Sequence, residues 1–179
     1  GDLANSNLIE ASGIGASLLL GDTTTVHNTT KGIIEASGIG AHVDIDIANI
    51  IGGALKTTGG AGATAASFNI LEAVSFAGST VRNIFNNSAL VQVNDGANLE
   101  IAGTINNTGK IMLGANAGPT GTTLYISDLA AATLNGSGTI ILASVHDIVT
   151  SGDDDTGISS LTNNGNTISG AGTIGIGDD

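Results

Sequence analysis

The sequence predicts an all-β protein, a parallel β-helix (β-solenoid) of about eight coils, and three observations carry that reading. The string IEASGIGA occurs at residues 9–16 and again, unchanged, at 34–41. Apolar and other residues alternate strictly in short stretches such as Val43-Asp44-Ile45-Asp46 and Leu99-Glu100-Ile101. That period of two belongs to strands with one face in and one face out. The composition is the third sign: 28 Gly, one Pro, 2% aromatic and 11% charged residues. A core that lacks aromatic bulk must be built from Ile, Leu, Val and Ala, which suits thin, regular layers better than a rounded interior. The hydrophobic fraction of 41% and the many β-branched residues argue against a disordered chain.

The elements follow a common plan along the chain. An apolar residue stands two places before an Asn at Leu3/Asn5, Val26/Asn28, Ile84/Asn86, Ile105/Asn107 and Leu161/Asn163, with Asn135 midway in the last interval. After each comes a short turn of Asn, Ser, Thr, Gly or Lys and a new apolar stretch. A second element, a small turn leading into alternating residues, reads GASLLLG at 15–21, GAHVDID at 40–46, GANLEIAG at 96–103 and GTTLYISD at 121–128. The unit is therefore strand, turn, strand, turn, with strands of three to five residues and about 20–28 residues per unit. One such unit cannot bury its own inner side; stacking on the next closes the core. In that arrangement Ile9 lies over Ile34, Glu10 over Glu35 and Ala11 over Ala36. The Asn residues form a ladder, each amide donating to the next coil. Glu10 and Glu35 are expected to face solvent, the alternative being a shared cation. ATAASFNILEAV (63–74) is the nearest approach to a helical stripe and reads as a bulging loop or a short helix.

Charge and cysteine content exclude several functions. Sixteen acidic residues against Lys31, Lys56, Lys110 and Arg82 set the net charge at −12. Nucleic-acid binding needs a basic footprint, and adhesion to anionic lipid needs the same. The absence of cysteine rules out disulfides, thiolate catalysis and Cys-type zinc sites. No apolar run approaches the ~18 residues of a membrane-spanning helix. The opening Gly-Asp-Leu-Ala-Asn is neither a signal peptide nor an obvious native start, so residues 1–179 read as one solenoid domain cut from something longer.

The strings VHNTTKGIIEASGIGAHVDID, LEIAGTINNTGKIML and LTNNGNTISGAGTIG resemble the repetitive passenger or shaft regions of large bacterial surface adhesins and autotransporter-like proteins. The resemblance covers most of the chain, apart from the loops around 55–80 and 145–158. It implies a right-handed parallel β-helix and an extracellular, cell-surface structural role. The G-G-x-G-x-D repeat of calcium-loaded β-rolls is missing, since GGAGATAAS (59–67) has no Asp. Written head to tail, GAGTIGIGDD and GDLANSNLIEAS continue the pattern. End-to-end stacking with further copies, or with neighbouring repeats of the same chain, is therefore expected.

Candidate chemistry is sparse. β-Helical lyases pair calcium-binding carboxylates with a basic residue, and here Arg82 has only Glu72 and Asp95 as distant company. Glycosidase carboxylates stand roughly 5–9.5 Å apart. Glu10 with Glu35, or Asp44 with Asp46, are the available pairs, and alternation puts Asp44 and Asp46 on an exposed face. Sugar platforms are limited to Tyr125, as there is no Trp. The densest charge is Asp153-Asp154-Asp155, read as a hydrated acidic loop with calcium as the alternative, because calcium takes six to eight oxygen ligands. His27 and His42 share a coil, His146 is remote, and two His without a third ligand make a poor metal site. The sequons at Asn28, Asn86, Asn106 and Asn135 are what Asn/Ser/Thr-rich turns produce. Ice or mineral binding would need regular Thr rows, which DTTTV and GTTL do not supply. The reading is thus non-enzymatic: an extracellular adhesive shaft with no catalytic, cofactor or metal residues assigned. Its expected partners are copies of itself and host or surface glycans. The alternative is a carbohydrate-binding or polysaccharide-degrading β-helix.

Overall fold

The computed structural model describes residues 1–21, 23–72, 74–77, 85–115, 118–127, 130–151 and 159–175. Within them the chain winds as a three-faced parallel β-solenoid. Rung 1 is β1 (Asp2–Asn5), β2 (Leu8–Ser12) and β3 (Ser17–Leu20), and rung 2 is β4 (Thr25–Asn28), β5 (Ile33–Ser37) and β6 (His42–Ile45). Rung 3 comprises β7 (Asn49–Ile51), β8 (Ala54–Thr58) and β9 (Ser67–Ile70); rung 4 comprises β10 (Val74–Ala77), β11 (Phe85–Ser88) and β12 (Leu90–Val93). Rung 5 needs only two strands, β13 (Asn98–Asn107) and β14 (Lys110–Leu113). Rung 6 is β15 (Thr123–Ile126), β16 (Ala132–Asn135) and β17 (Thr139–Leu142). Rung 7 is β18 (Ile148–Ser151), β19 (Leu161–Asn164) and β20 (Thr167–Gly170), after which β21 (Thr173–Ile174) returns to the first face.

The strands of each rung lie in order on faces 1, 2 and 3. Face 3 holds seven strands, in the order β3-β6-β9-β12-β14-β17-β20. Seven rungs make about six turns, fewer than the eight coils expected, and a shaft of ~30 Å at the ~4.8 Å strand spacing. The shortfall arises because coils are not uniform. The step is 20 residues from Asn87 to Asn107 but 29 from Asn135 to Asn164.

Register is as the repeat requires. Ile9 pairs with Ile34, Glu10 with Glu35 and Ala11 with Ala36, and Leu18 pairs with Val43 on face 3. Between those strands the SGIG corner stacks on itself, with Gly13 N donating to Ser37 O at 2.8 Å and Gly15 N to Ile39 O at 2.9 Å. Gly38 adopts φ +129, and a Cβ there would lie 2.5 Å from Gly13 O. The duplicated string is duplicated because backbone touches backbone at this corner. β13 is the exception to short strands: it crosses from face 1 to face 2 without a loop. Gly103 (φ +71) turns the corner, a conformation Gly adopts without a Cβ penalty.

Inward residues form apolar columns. Val26, Ile50, Phe76, Ile101 and Ile126 run down face 1, and Val43, Phe68, Val91, Ile111 and Ile140 down face 3. All ten are buried. The bulk does come from Ile, Leu, Val and Ala, with three Phe in rungs 3 and 4, where Phe76 and Phe85 stack with centroids 4.8 Å apart. Residues 63–74, read as a bulging loop or a short helix, include the strand β9. A single 3-10 turn (Gly62–Thr64) precedes β9, whose Phe68 and Ile70 are fully buried. The stretch read as a loop, around 55–80, therefore carries most of β8 and all of β9 and β10 within the ladder, because Leu55, Phe68, Ile70, Val74 and Phe76 face inward and are buried. β18 likewise belongs to the solenoid.

The Asn ladder exists, but at two corners. Asn5 and Asn28 end face 1 strands, and Asn5 Nδ2 donates to Asn28 Oδ1 at 2.8 Å, Asn28 Nδ2 in turn to Gly52 O. Asn87, next to last in β11, and Asn107, the last residue of β13, belong to face 2 strands, with Asn87 Nδ2 donating to Asn107 Oδ1 at 2.9 Å. Asn107 Nδ2 then reaches Asn166 Oδ1 at 2.8 Å, 59 residues on. It passes Gly138, where a Cβ would lie 2.5 Å from that nitrogen. Asn86 and Asn163, expected in this column, are not its members: Asn86 pairs with Asn106, and Asn163 with Leu134.

Two stability measurements follow. Asn107→Ala strands the buried Asn87 amide and Asn166 carbonyl, and urea denaturation is expected to show a loss of about 2–4 kcal/mol. Asn106→Ala, on the outer side, is expected to cost under about 1 kcal/mol. Ile47 is 43% exposed and held at φ +47 between faces 3 and 1, a left-handed conformation costly for a β-branched residue. Ile47→Gly relieves it and is expected to raise stability by about 0.5–1 kcal/mol, against the entropy Gly gains when unfolded.

Candidate functional site

The outward positions of the three faces carry whatever function this solenoid has. On face 2 the upper rungs hold a charge column, Glu10–Glu35–Lys56, set by register. Glu10 is exposed, but Glu35 is not solvent-facing as expected: only 9% of it is accessible. Lys56 Nζ lies 3.2 Å from its Oε1 and 3.3 Å from Oε2, and Thr58 Oγ1 donates to Oε1 at 2.8 Å. The cation that relieves the stacked carboxylates is the next rung's lysine. Glu35 is thereby committed to structural contacts with β8. Lys56 stands at its register position on that strand and Thr58 two residues further along, a relation visible only once the rungs are aligned.

On face 3 the outward side of rungs 2–4 is a neutralising network. His42 Nε2 stands 3.4 Å from Asp44 Oδ2, and its Nδ1 faces Gly40 O at 3.3 Å. Asn69 Nδ2 donates to Asp44 Oδ1 at 2.8 Å, while Asn69 Oδ1 accepts from Ser67 Oγ at 3.1 Å and Gln92 Nε2 at 3.4 Å. Asp44 is therefore half-buried and bonded, not exposed. Ser67 is His42's partner across the strands, yet its hydroxyl proton goes to Asn69, so no nucleophile–base pair forms here. Asp46, half-buried at the following corner, does not join this network; its Oδ1 is buried without a partner, as is Asp95 Oδ1.

The remaining candidates disperse. His27 sits exposed on face 1, in the same rung as His42 but on another face, and His146 is exposed at a corner near the far end. Tyr125 stands singly on face 1. Glu72 is exposed. Arg82 and Asp153, Asp154 and Asp155 lie outside the described residues. Among the described residues no three His, Asp or Glu side chains gather to hold a metal ion. Asn28, one of the four sequon residues, is buried in its ladder, whereas Asn86, Asn106 and Asn135 stand on the outward side of face 2.

Two features escaped the sequence reading. Asp147 is fully buried at the corner between faces 3 and 1, where its carboxylate accepts Ser144 N at 2.8 Å and Thr122 N at 3.3 Å. Gly114 makes room for it, since a Cβ there would lie 2.7 Å from Oδ1. The Ser-x-x-Asp spacing was its only signal. The second is a pair of polar columns on the outward side of face 2 in the lower rungs. Thr104, Thr133 and Thr162 are register partners, and so are Asn86, Asn106, Asn135 and Asn164. Asn106 Nδ2 donates to Asn86 Oδ1 at 3.0 Å, and Asn164 Nδ2 to Asn135 Oδ1 at 3.1 Å.

Fold and surface together define a parallel β-solenoid. Comparison with protein-family models, with curated proteins and with solved structures finds no match to the chain. No helix among the described residues is long and apolar enough to cross a membrane.

Removing Lys56 tests the charge column. Lys56→Met leaves Glu35 shielded from water beneath Glu10, and chemical denaturation is expected to show a loss of about 1–2 kcal/mol, moderated by the Thr58 bond and the lysine's own exposure. The double variant with Glu35→Gln is expected to recover most of it.

Proposed function

We propose that the chain is a structural and adhesive shaft of an extracellular bacterial surface protein, non-enzymatic and assembled by coaxial stacking. One observation carries the reading: every strand pairing is parallel and in register along a single axis, from β1 through β21. Such a ladder bears load along its length through backbone hydrogen bonds arranged in parallel. The outward carboxylates of Glu35 and Asp44 are tied into internal pairs, which favours a scaffold over a reaction centre.

The two ends of the ladder support coaxial assembly. Leu3 is 41% exposed although its register partner Val26 is wholly buried, and at the other end Ile174 is 60% exposed beside buried Val149. Both stand in inward columns with a described rung on one side only. In this proposal a second copy, or a neighbouring repeat of the same chain, supplies the other. The free strand edges, β1, β2 and β3 at one end and β19, β20 and β21 at the other, offer their backbone groups to such a rung.

Sedimentation velocity over a concentration series, with negative-stain imaging, tests both parts. The expected result is rods that lengthen with concentration, and Leu3→Asp or Ile174→Asp reducing them to single units with unchanged circular dichroism. A strictly monomeric profile at high concentration would refute the stacking.

A further inference from the structure

We propose that the outward side of face 2 in rungs 4–7 is a binding surface for an uncharged, hydroxyl-rich polymer, a neutral β-linked glycan laid along the solenoid axis. The proposal rests on the adhesive-shaft reading and names what the shaft would grip. Its basis is the pair of columns that the register creates. Thr104, Thr133 and Thr162 stand one above another, and Asn106, Asn135 and Asn164 stand beside them, two residues along each strand. The result is a Thr-x-Asn motif repeated on three successive rungs. The motif advances by ~4.8 Å from rung to rung, and its two members lie roughly 7 Å apart.

Charge argues for the class of partner. The protein carries a net −12, yet among the described residues the outward strand positions of face 2 in these rungs are Asn86, Ser88, Thr104, Asn106, Thr133, Asn135, Thr162 and Asn164, none of them ionisable. Faces 1 and 3 both place ionisable side chains outward in the same rungs, Glu100 and Lys110. A polyanion is repelled by the molecule as a whole, and a polycation would find its sites elsewhere. An uncharged polymer is matched to this surface.

Hydrogen-bonding capacity argues for hydroxyl groups. A primary amide has two N–H donors and two acceptor lone pairs. The ladder bonds occupy one donor on Asn106 and Asn164 and one acceptor on Asn135, leaving capacity directed outward on each. The same bonds hold the amides in one orientation before any ligand arrives, so less side-chain entropy is lost on binding. Thr adds a hydroxyl and a methyl per rung, which suits a sugar's mixture of O–H and C–H surface. A regular column of sites offers a regular polymer many weak contacts at once, and their sum grows with every rung engaged.

The test is co-sedimentation of the full chain with microcrystalline cellulose and with chitin, in low and high salt. The expected result is retention on at least one of them, little changed by salt. Thr133→Glu, an outward change in the middle rung, is expected to weaken retention at least tenfold with an unchanged thermal melt. Thr167→Glu on face 3 is the matched control and is expected to leave retention intact. No retention on either glycan, or retention indifferent to Thr133→Glu, overturns the proposal. So does uptake into a growing ice front without glycan retention, which would make the columns a template for ordered water. Rod shape and coaxial stacking are measured independently, so the shaft reading stands or falls on its own data.

Discussion

A solenoid rung has no core of its own. Each inward side chain is covered on one side by its own coil and above and below by its register partners, so the whole structure depends on consecutive rungs lying in register. The gradient of exposure down a single column shows this. Leu3 and Val26 occupy the same inward position, and only the one with rungs on both sides is fully buried. Ile9 over Ile34 repeats the contrast on face 2, where the outer member is partly buried and the inner one completely so. Stability here belongs to interfaces between rungs more than to rungs themselves.

The same constraint governs the polar groups. A corner turns the backbone away from its strand, and the freed carbonyls and amides must find partners on the next rung or remain unsatisfied. This chain meets that demand in three ways. Buried Asn amides bridge corners after faces 1 and 2, a buried Asp147 collects two backbone N–H groups at the corner after face 3, and stacked Gly residues let backbone meet backbone directly. Each device requires an absence beside it. Asn107 needs Gly138 to lack a Cβ, and Asp147 needs the same of Gly114. The high glycine content is thus partly a record of where one rung's polar side chain passes through the next rung's space.

What could be read from the sequence was whatever depends on one strand or on one clean repeat. Alternation in Val43-Asp44-Ile45 identifies inward Val43 and Ile45 correctly, and the duplicated IEASGIGA fixes the pairing of Ile9 with Ile34. Quantities that depend on the path between strands were not legible. The 20-residue step at Asn107 and the 29-residue step at Asn164 reflect a missing loop in β13 and added residues elsewhere. A count based on the shorter spacings overestimates the coils. It also merges two Asn columns into one, because Asn28 belongs to a face 1 strand and Asn87 to a face 2 strand although both follow an apolar residue by two places. The Asn doublets at 86–87 and 106–107 hold the missing clue: one member faces in and the other out, so a doublet serves two ladders.

Outward positions were harder still, because their meaning lies wholly in the register. Glu10 and Glu35 read as two repelling charges until Lys56 is set on the third rung of the same column. Thr104, Thr133 and Thr162 are scattered singly through AGTINN, ATLNGS and SLTNNG, where none stands out. Local Thr runs such as DTTTV attract attention, yet neighbours in a strand point to opposite sides and cannot form a row. Rows on a solenoid are built from residues one coil apart. Among the described residues, the half of face 2 that carries Glu10, Glu35 and Lys56 and the half that carries Thr, Asn and Ser share the same inward ladder. They differ in how neighbouring rungs are tied on the outside, by an ion pair between Glu35 and Lys56 in one and by amide–amide bonds from Asn106 to Asn86 and from Asn164 to Asn135 in the other.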